Sequence, residues 1–134
     1  MKLFIGTSGY SYKEWQGNFY PADLKEKDML SYYGKHLNAV EINNTFYRLP
    51  KSDMLAAWAA QVPDSFRFVL KASRKITHFK KLKGAQDETE YLFGSATALG
   101  YKLGPVLFQQ DRIGFFNGAQ ILCGRQLQNV PAGH

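Results

Sequence analysis

Asn38-Ala39-Val40-Glu41-Ile42-Asn43 is the stretch on which the fold turns. It is short, bounded by asparagines, and carries Val40 and Ile42 two residues apart, the spacing of one face of a strand. On its N-terminal side Asp23 can cap a helix running to about His36, with Leu24, Met29, Leu30 and Tyr33 as buried positions. Before that helix lies an irregular aromatic stretch, Tyr10 to Pro21, and before it Lys2-Leu3-Phe4-Ile5-Gly6, which reads as a first buried strand ending in the turn Gly6-Thr7-Ser8-Gly9. On the C-terminal side Asn44 to Pro50 reads as a loop. Ser52 or Asp53 then caps a second helix through about Gln61, closed by Val62-Pro63-Asp64. Phe66-Arg67-Phe68-Val69-Leu70-Lys71 is a third strand, Ala72 to Gly84 a basic loop, and Asp87 opens a third helix that Gly100 stops. Gly104-Pro105-Val106-Leu107-Phe108-Gln109 is a fourth strand, and no element can be placed after it.

This alternation predicts parallel strands joined by right-handed crossovers, an α/β fold. The strands begin near residues 3, 39, 66 and 105. A (β/α)₈ barrel of about 250 residues spends roughly 31 on each unit. Four strands therefore amount to about half of a TIM-type barrel, and a small doubly wound sheet is the alternative.

Composition narrows the class. The 134 residues are 45% hydrophobic, 15% aromatic and 21% charged, which excludes a disordered chain, a collagen-like repeat and a coiled coil. No apolar run reaches the ~20 residues of a membrane span, and Met1 to Gly6 is too short for a secretory signal. The single cysteine, Cys123, excludes an internal disulfide framework and points to a reducing cytoplasm. Net charge is +6, and seven basic residues (Arg67, Lys71, Arg74, Lys75, Lys80, Lys81, Lys83) lie between Ser65 and Gln86 with no acid among them. Such a patch suits an anionic small molecule or nucleic acid; a solvated face is the plainer reading.

Four ordered motifs resemble one family. Ile5-Gly6-Thr7-Ser8-Gly9-Tyr10-Ser11-Tyr12 with Trp15 and Phe19-Tyr20-Pro21 is the first, and Val40 through Pro50 is the second. Phe68 through His78 is the third and Leu103 through Gln109 the fourth. Together they are similar to the YecE-like proteins, domain-of-unknown-function family 72, over about residues 2 to 109. The resemblance implies a TIM-type barrel about twice this length and carries over no reaction. The family usually continues the fourth strand with a leucine and two prolines, where this chain has Gln110-Asp111-Arg112. Residues 110–134 therefore read as an aberrant tail, as a frameshift near codon 109 would produce.

Chemistry is expected at the C-terminal ends of the strands, where such barrels place it. Val40 and Ile42 should face the helices, and Glu41 and Asn43 the barrel interior. Phe68 and Leu70 should likewise face outward, leaving Val69 and Lys71 inward, with Leu107 and Gln109 inward on strand four. Glu41 and Lys71, one strand apart, could form an ion pair, with Glu41 as general acid or base and Lys71 as the anion-binding group. His78 is a third catalytic candidate. Asn43, Asn44, Thr45 and Arg48 follow strand two and offer donors at the mouth or serve turn chemistry; Arg74 and Gln109 are further binding candidates. Tyr10, Tyr12, Trp15 and Tyr20, with Phe46 and Tyr47 in the loop after strand two, could stack on a base or sugar ring or simply form a packed lid. Gly6 to Gly9 could wrap a phosphate but lacks the P-loop spacing. No metal-ligand set is visible, and no cofactor is indicated.

Three readings compete. In the first, the parent protein is an enzyme acting on a phosphate ester or nucleic acid. In the second, it is a non-catalytic module for a nucleotide, sugar or nucleic acid. In the third, this chain is a truncated, inactive product. Half a barrel would leave its first and fourth strands with open edges, so self-association is expected.

Overall fold

The computed structural model describes residues 1–79, 83–109 and 119–122. Four parallel strands run in sequence order: β1 (Gly6–Ser8), β2 (Ala39–Ile42), β3 (Arg67–Lys71) and β4 (Leu103–Gln109). Helices α1 (Met29–His36), α2 (Asn44–Tyr47), α3 (Ser52–Ala59) and α4 (Gln86–Ala96) lie in the crossovers. The expected α/β architecture with a parallel sheet is present.

Alternation decides which side of the sheet is the core. Val40, Ile42, Phe68, Leu70 and Val106 are at most 3% exposed, and pack with Leu30, Tyr33, Leu55 and Leu92 in one cluster. Each such side chain contributes about 1.5–3 kcal/mol by leaving water. The intervening residues Glu41, Val69, Lys71, Pro105 and Leu107 are only partly buried. The opposite face thus opens onto a hollow of about 960 Å³, lined among others by Ser8, Glu41, Arg67, Val69, Leu103 and Pro105.

Several boundaries differ from those read in the sequence. The first strand is not Lys2–Gly6. The Ile5 N–H donates to the Asn38 side-chain oxygen (2.7 Å) and the Asn38 amide donates to the Leu3 carbonyl (2.9 Å). A side chain there replaces a strand ladder, and Leu3, Phe4 and Ile5 remain 66%, 42% and 56% exposed. The ladder starts at Gly6, where a Cβ would come within 1.8 Å of the Ala39 carbonyl oxygen, so only glycine allows the approach. Asp23 caps nothing: Lys25 is extended (φ −73°, ψ 145°), and a 3₁₀ turn, Glu26–Asp28, leads into α1. The expected loop after β2 holds the single turn α2. Neither Ser52 nor Asp53 caps α3, whose capping position is Lys51. The basic loop contains a π-helical turn, Lys75–Phe79, with Ile76 and Thr77 buried.

The sheet has a fifth strand that the sequence reading did not place. β5 (Ala119–Leu122) pairs antiparallel with β4, from Gln109↔Ala119 to Val106↔Leu122. Of the two open edges expected, β4 is therefore occupied, and the edge strands of the described sheet are β1 and β5. The remainder of the expected tail, residues 110–118 and 123–134 with Cys123, lies outside the described residues, as do Lys80 and Lys81.

Candidate functional site

The C-terminal ends of β1, β2 and β3 lie side by side because the ladder pairs Ser8 with Glu41 and Glu41 with Val69. The Ser8 hydroxyl donates to Glu41 Oε1 at 3.2 Å, and the Asn43 amide donates to Ser8 Oγ at 2.7 Å. Asn43, Ser8 and Glu41 thus form one hydrogen-bonded chain across two strand ends. Gly9, in the left-handed region (φ 80°), turns the backbone so that its N–H reaches the Glu41 carbonyl (2.8 Å). The Tyr12 hydroxyl donates to the Ser8 carbonyl.

Glu41 and Lys71 share a face but do not make the expected ion pair. Lys71 lies two positions beyond Val69, the direct partner of Glu41, so the diagonal of the ladder separates them. The Lys71 ammonium sits over the Phe46 ring instead, 4.9 Å from its centroid, and the Arg74 guanidinium sits 5.3 Å from that of Tyr47. The two rings belong to α2 and meet edge-on at 5.1 Å. Each cation is steadied on a ring face.

Beside this group is a cleft of about 240 Å³ lined by Gly9, Tyr10, Ser11, Tyr12, Ile42, Asn43, Asn44 and Trp58. Burial, then the nearby Glu26 carboxylate, raises the Tyr10 hydroxyl above the ordinary tyrosine range. The Tyr20 hydroxyl, raised further by burial, donates to the Tyr10 carbonyl at 2.5 Å.

The remaining candidates scatter. Trp15 stands behind Tyr12, with ring centroids 4.7 Å apart, and packs on Phe19 and Tyr20 rather than lining the cleft. Arg48 is exposed past the end of α2, and Gln109 is exposed at the end of β4. His78 lies on the π-helical turn, and its side chain lies outside the described residues. Of the seven basic residues, Lys80 and Lys81 lie outside the described residues, and Arg67 and Lys71 stand at the two ends of β3, roughly 13 Å apart along a strand. Gly6 to Gly9 is no phosphate cradle, because the Thr7 N–H goes to the Tyr33 hydroxyl (2.8 Å) and the Gly9 N–H to the Glu41 carbonyl. Among the described residues no three His, Cys, Asp or Glu side chains gather as a metal site, and no helix is long and apolar enough to cross a membrane.

Two participants went unnoticed in the sequence: the Ser8 side chain, hidden by the misplaced first strand, and Trp58, which comes from a distant helix. Thr45 and Phe46, expected as a donor and a stacking ring, instead hold the Lys71 backbone and its ammonium. A strand register beginning at Gly6 would have put Ser8 beside Glu41.

Comparisons with known proteins identify the family and the fold. The family model "Protein of unknown function DUF72" matches residues 4–117, running past Gln109. The UPF0759 protein YecE of Escherichia coli (strain K12) is 34% identical over 91 residues, 67% of this chain and 31% of that protein. The UPF0759 protein YunF of Bacillus subtilis (strain 168) is 26% identical over 113 residues, 80% of this chain and 39% of that one. A DUF72 family protein from Thermotoga maritima MSB8 superposes with a TM-score of 0.67 at 29% identity, over 81% of this chain and 44% of that one. One from Enterococcus faecalis V583 superposes at 0.64 and 24% identity, over 81% of this chain and 39% of that one. The chain thus spans less than half the length of these relatives. With the family match covering most of its residues, the chain belongs to the DUF72 family, described as proteins of unknown function.

Proposed function

We propose that the four parallel strands are half of a TIM-type barrel whose strand ends carry an anion site of the phosphate-ester class. One observation carries this reading. Lys71 and Arg74 rest on the rings of Phe46 and Tyr47, next to the Asn43–Ser8–Glu41 chain. The cations would neutralise the anion, Glu41 would take or give a proton, and Asn43 and Ser8 would fix the carboxylate's orientation. In the whole protein this is an enzyme site. The present chain contributes about half of it, so it is expected to bind without turnover. A binding module without catalysis differs only in lacking a role for Glu41.

Titration of the full chain with inorganic phosphate, followed by ¹H–¹⁵N NMR, tests the proposal. Amide shifts at Asn43, Lys71 and Arg74 that vanish in Lys71→Ala are expected. Shifts that survive Lys71→Ala, or none at millimolar phosphate, would overturn it. In a protein carrying the whole barrel, Glu41→Gln separates the readings: an enzyme loses turnover while keeping ligand, and a module keeps everything.

We further propose that the chain self-associates through the edge strand β1, beside which Leu3, Phe4 and Ile5 are exposed. A monomer by light scattering at micromolar concentration would count against it. The lone cysteine favours a reducing, cytoplasmic setting.

A further inference from the structure

We infer that the ligand of this site is a small ring compound carrying its own phosphate, a sugar phosphate or a nucleoside monophosphate. This rests on the anion site just proposed and adds a second point of attachment. The cleft beside it presents two tyrosine rings, the Trp58 indole and the side chains of Asn43 and Asn44, with no charged group in its lining. Aromatic faces take a ring by stacking, and amides serve the polar groups on its rim. A bare inorganic anion has no use for such a surface.

The walls are held in place before any ligand arrives. Tyr12 is fixed at its hydroxyl by the Ser8 carbonyl and on its face by Trp15. The Tyr10 backbone is fixed by Tyr20, and its ring lies 6.3 Å from that of Tyr33. The Asn43 amide is oriented by Ser8. Walls that are already ordered lose less freedom on binding.

Size and distance set the class. At about 240 Å³ the cleft falls below the ~300–1,000 Å³ of drug-sized pockets, which suits one ring and not a dinucleotide. The β2–β3 register pairs Ile42 in the cleft lining with Leu70, the residue before Lys71, and neighbouring strands lie about 4.8 Å apart. A phosphate a few bonds from its ring spans that gap.

The test compares inorganic phosphate, ribose 5-phosphate and cytidine 5′-monophosphate on the full chain by the same NMR titration. Both ring compounds should bind roughly ten-fold tighter than inorganic phosphate, the increment expected of one stacked ring. Trp58→Leu should remove that increment. Asn44→Ala, at an exposed position where the fold is not at risk, should reduce it. Tighter binding of the cytidine compound assigns the cleft to the base, and equal binding of the two assigns it to the sugar. Equal affinity for all three ligands overturns the ring inference and leaves the anion site standing. Binding of none of them overturns the anion site itself.

Discussion

The buried hydroxyl of Thr45 clasps the end of β3: it accepts the Lys71 N–H at 3.1 Å and lies 2.7 Å from the Lys71 carbonyl oxygen. It also lies 3.0 Å from the Ile42 carbonyl, so its one proton serves the ends of two strands. Through this contact the turn that supplies Phe46 to the Lys71 ammonium also fixes the Lys71 backbone.

Thr45→Val keeps the shape and removes the hydroxyl. The Lys71 N–H then loses its partner, at a cost of about 1–3 kcal/mol. The urea midpoint should fall while Thr45→Ser stays near the parent. Phosphate binding should weaken in the valine variant even where it is folded. An unchanged midpoint would mean that water replaces the hydroxyl.

Tyr33 does similar work for the edge strand β1. Its hydroxyl accepts the Thr7 N–H (2.8 Å) and donates to the Ala39 carbonyl (2.9 Å), joining β1 to β2 from a fully buried position. Tyr33→Phe should cost about 1–3 kcal/mol and speed amide hydrogen exchange at Thr7 more than at Phe68. Uniform exchange across the sheet would show that β1 does not depend on this bond.

Lys102 and Asp64 separate a buried role from a surface one. The Lys102 ammonium donates to the Ala59 and Val62 carbonyls at 2.7 and 2.9 Å, at and beyond the end of α3, while Asp64 lies 3.6 Å away with its side chain 84% exposed. Lys102→Met should lower stability by roughly 1–2 kcal/mol. Asp64→Asn should change it by less than about 0.5 kcal/mol. Equal losses in the two variants would place the energy in the ion pair instead.

The buried tyrosines make the fold sensitive to alkali. Tyr10 and Tyr20 both sit above the ordinary tyrosine value of 10.0, chiefly through burial. The unfolded chain therefore gives up these protons first. Their contribution is complete below about pH 10 and falls as pH rises beyond it. Urea midpoints measured from about pH 8 to about pH 11 should decline over the last unit. Tyr20→Phe should lower the neutral midpoint, since the bond to the Tyr10 carbonyl is lost, and should flatten the alkaline decline. A decline as steep as the parent's would shift the cause to other groups.

The alternation of strands and helices was legible because apolar residues at period two face one packed layer. Val40, Ile42, Phe68 and Leu70 alone specify that layer. The first strand was misread because Leu3, Phe4 and Ile5 look like a buried run, while Asn38 takes their backbone groups from 33 to 35 residues away. A charge count likewise treats Arg67 and Lys71 as neighbours, although a strand places them at opposite ends of the sheet.

By itself the sequence determined the alternation of parallel strands with helices, the faces that β2 and β3 bury, and the presence of Glu41, Asn43 and Lys71 near strand ends. These follow from local periodicity, which depends on residues a few positions apart. The tertiary structure alone decided that Glu41 meets Ser8 and not Lys71, that Lys71 lies over Phe46, and that Trp58 faces Asn43 and Asn44 across a cleft. Those pairings depend on ladder register and on where a one-turn helix sets its rings. A shift of a single residue in register exchanges every inward side chain for its outward neighbour, so the pattern of one strand cannot choose its partner's register.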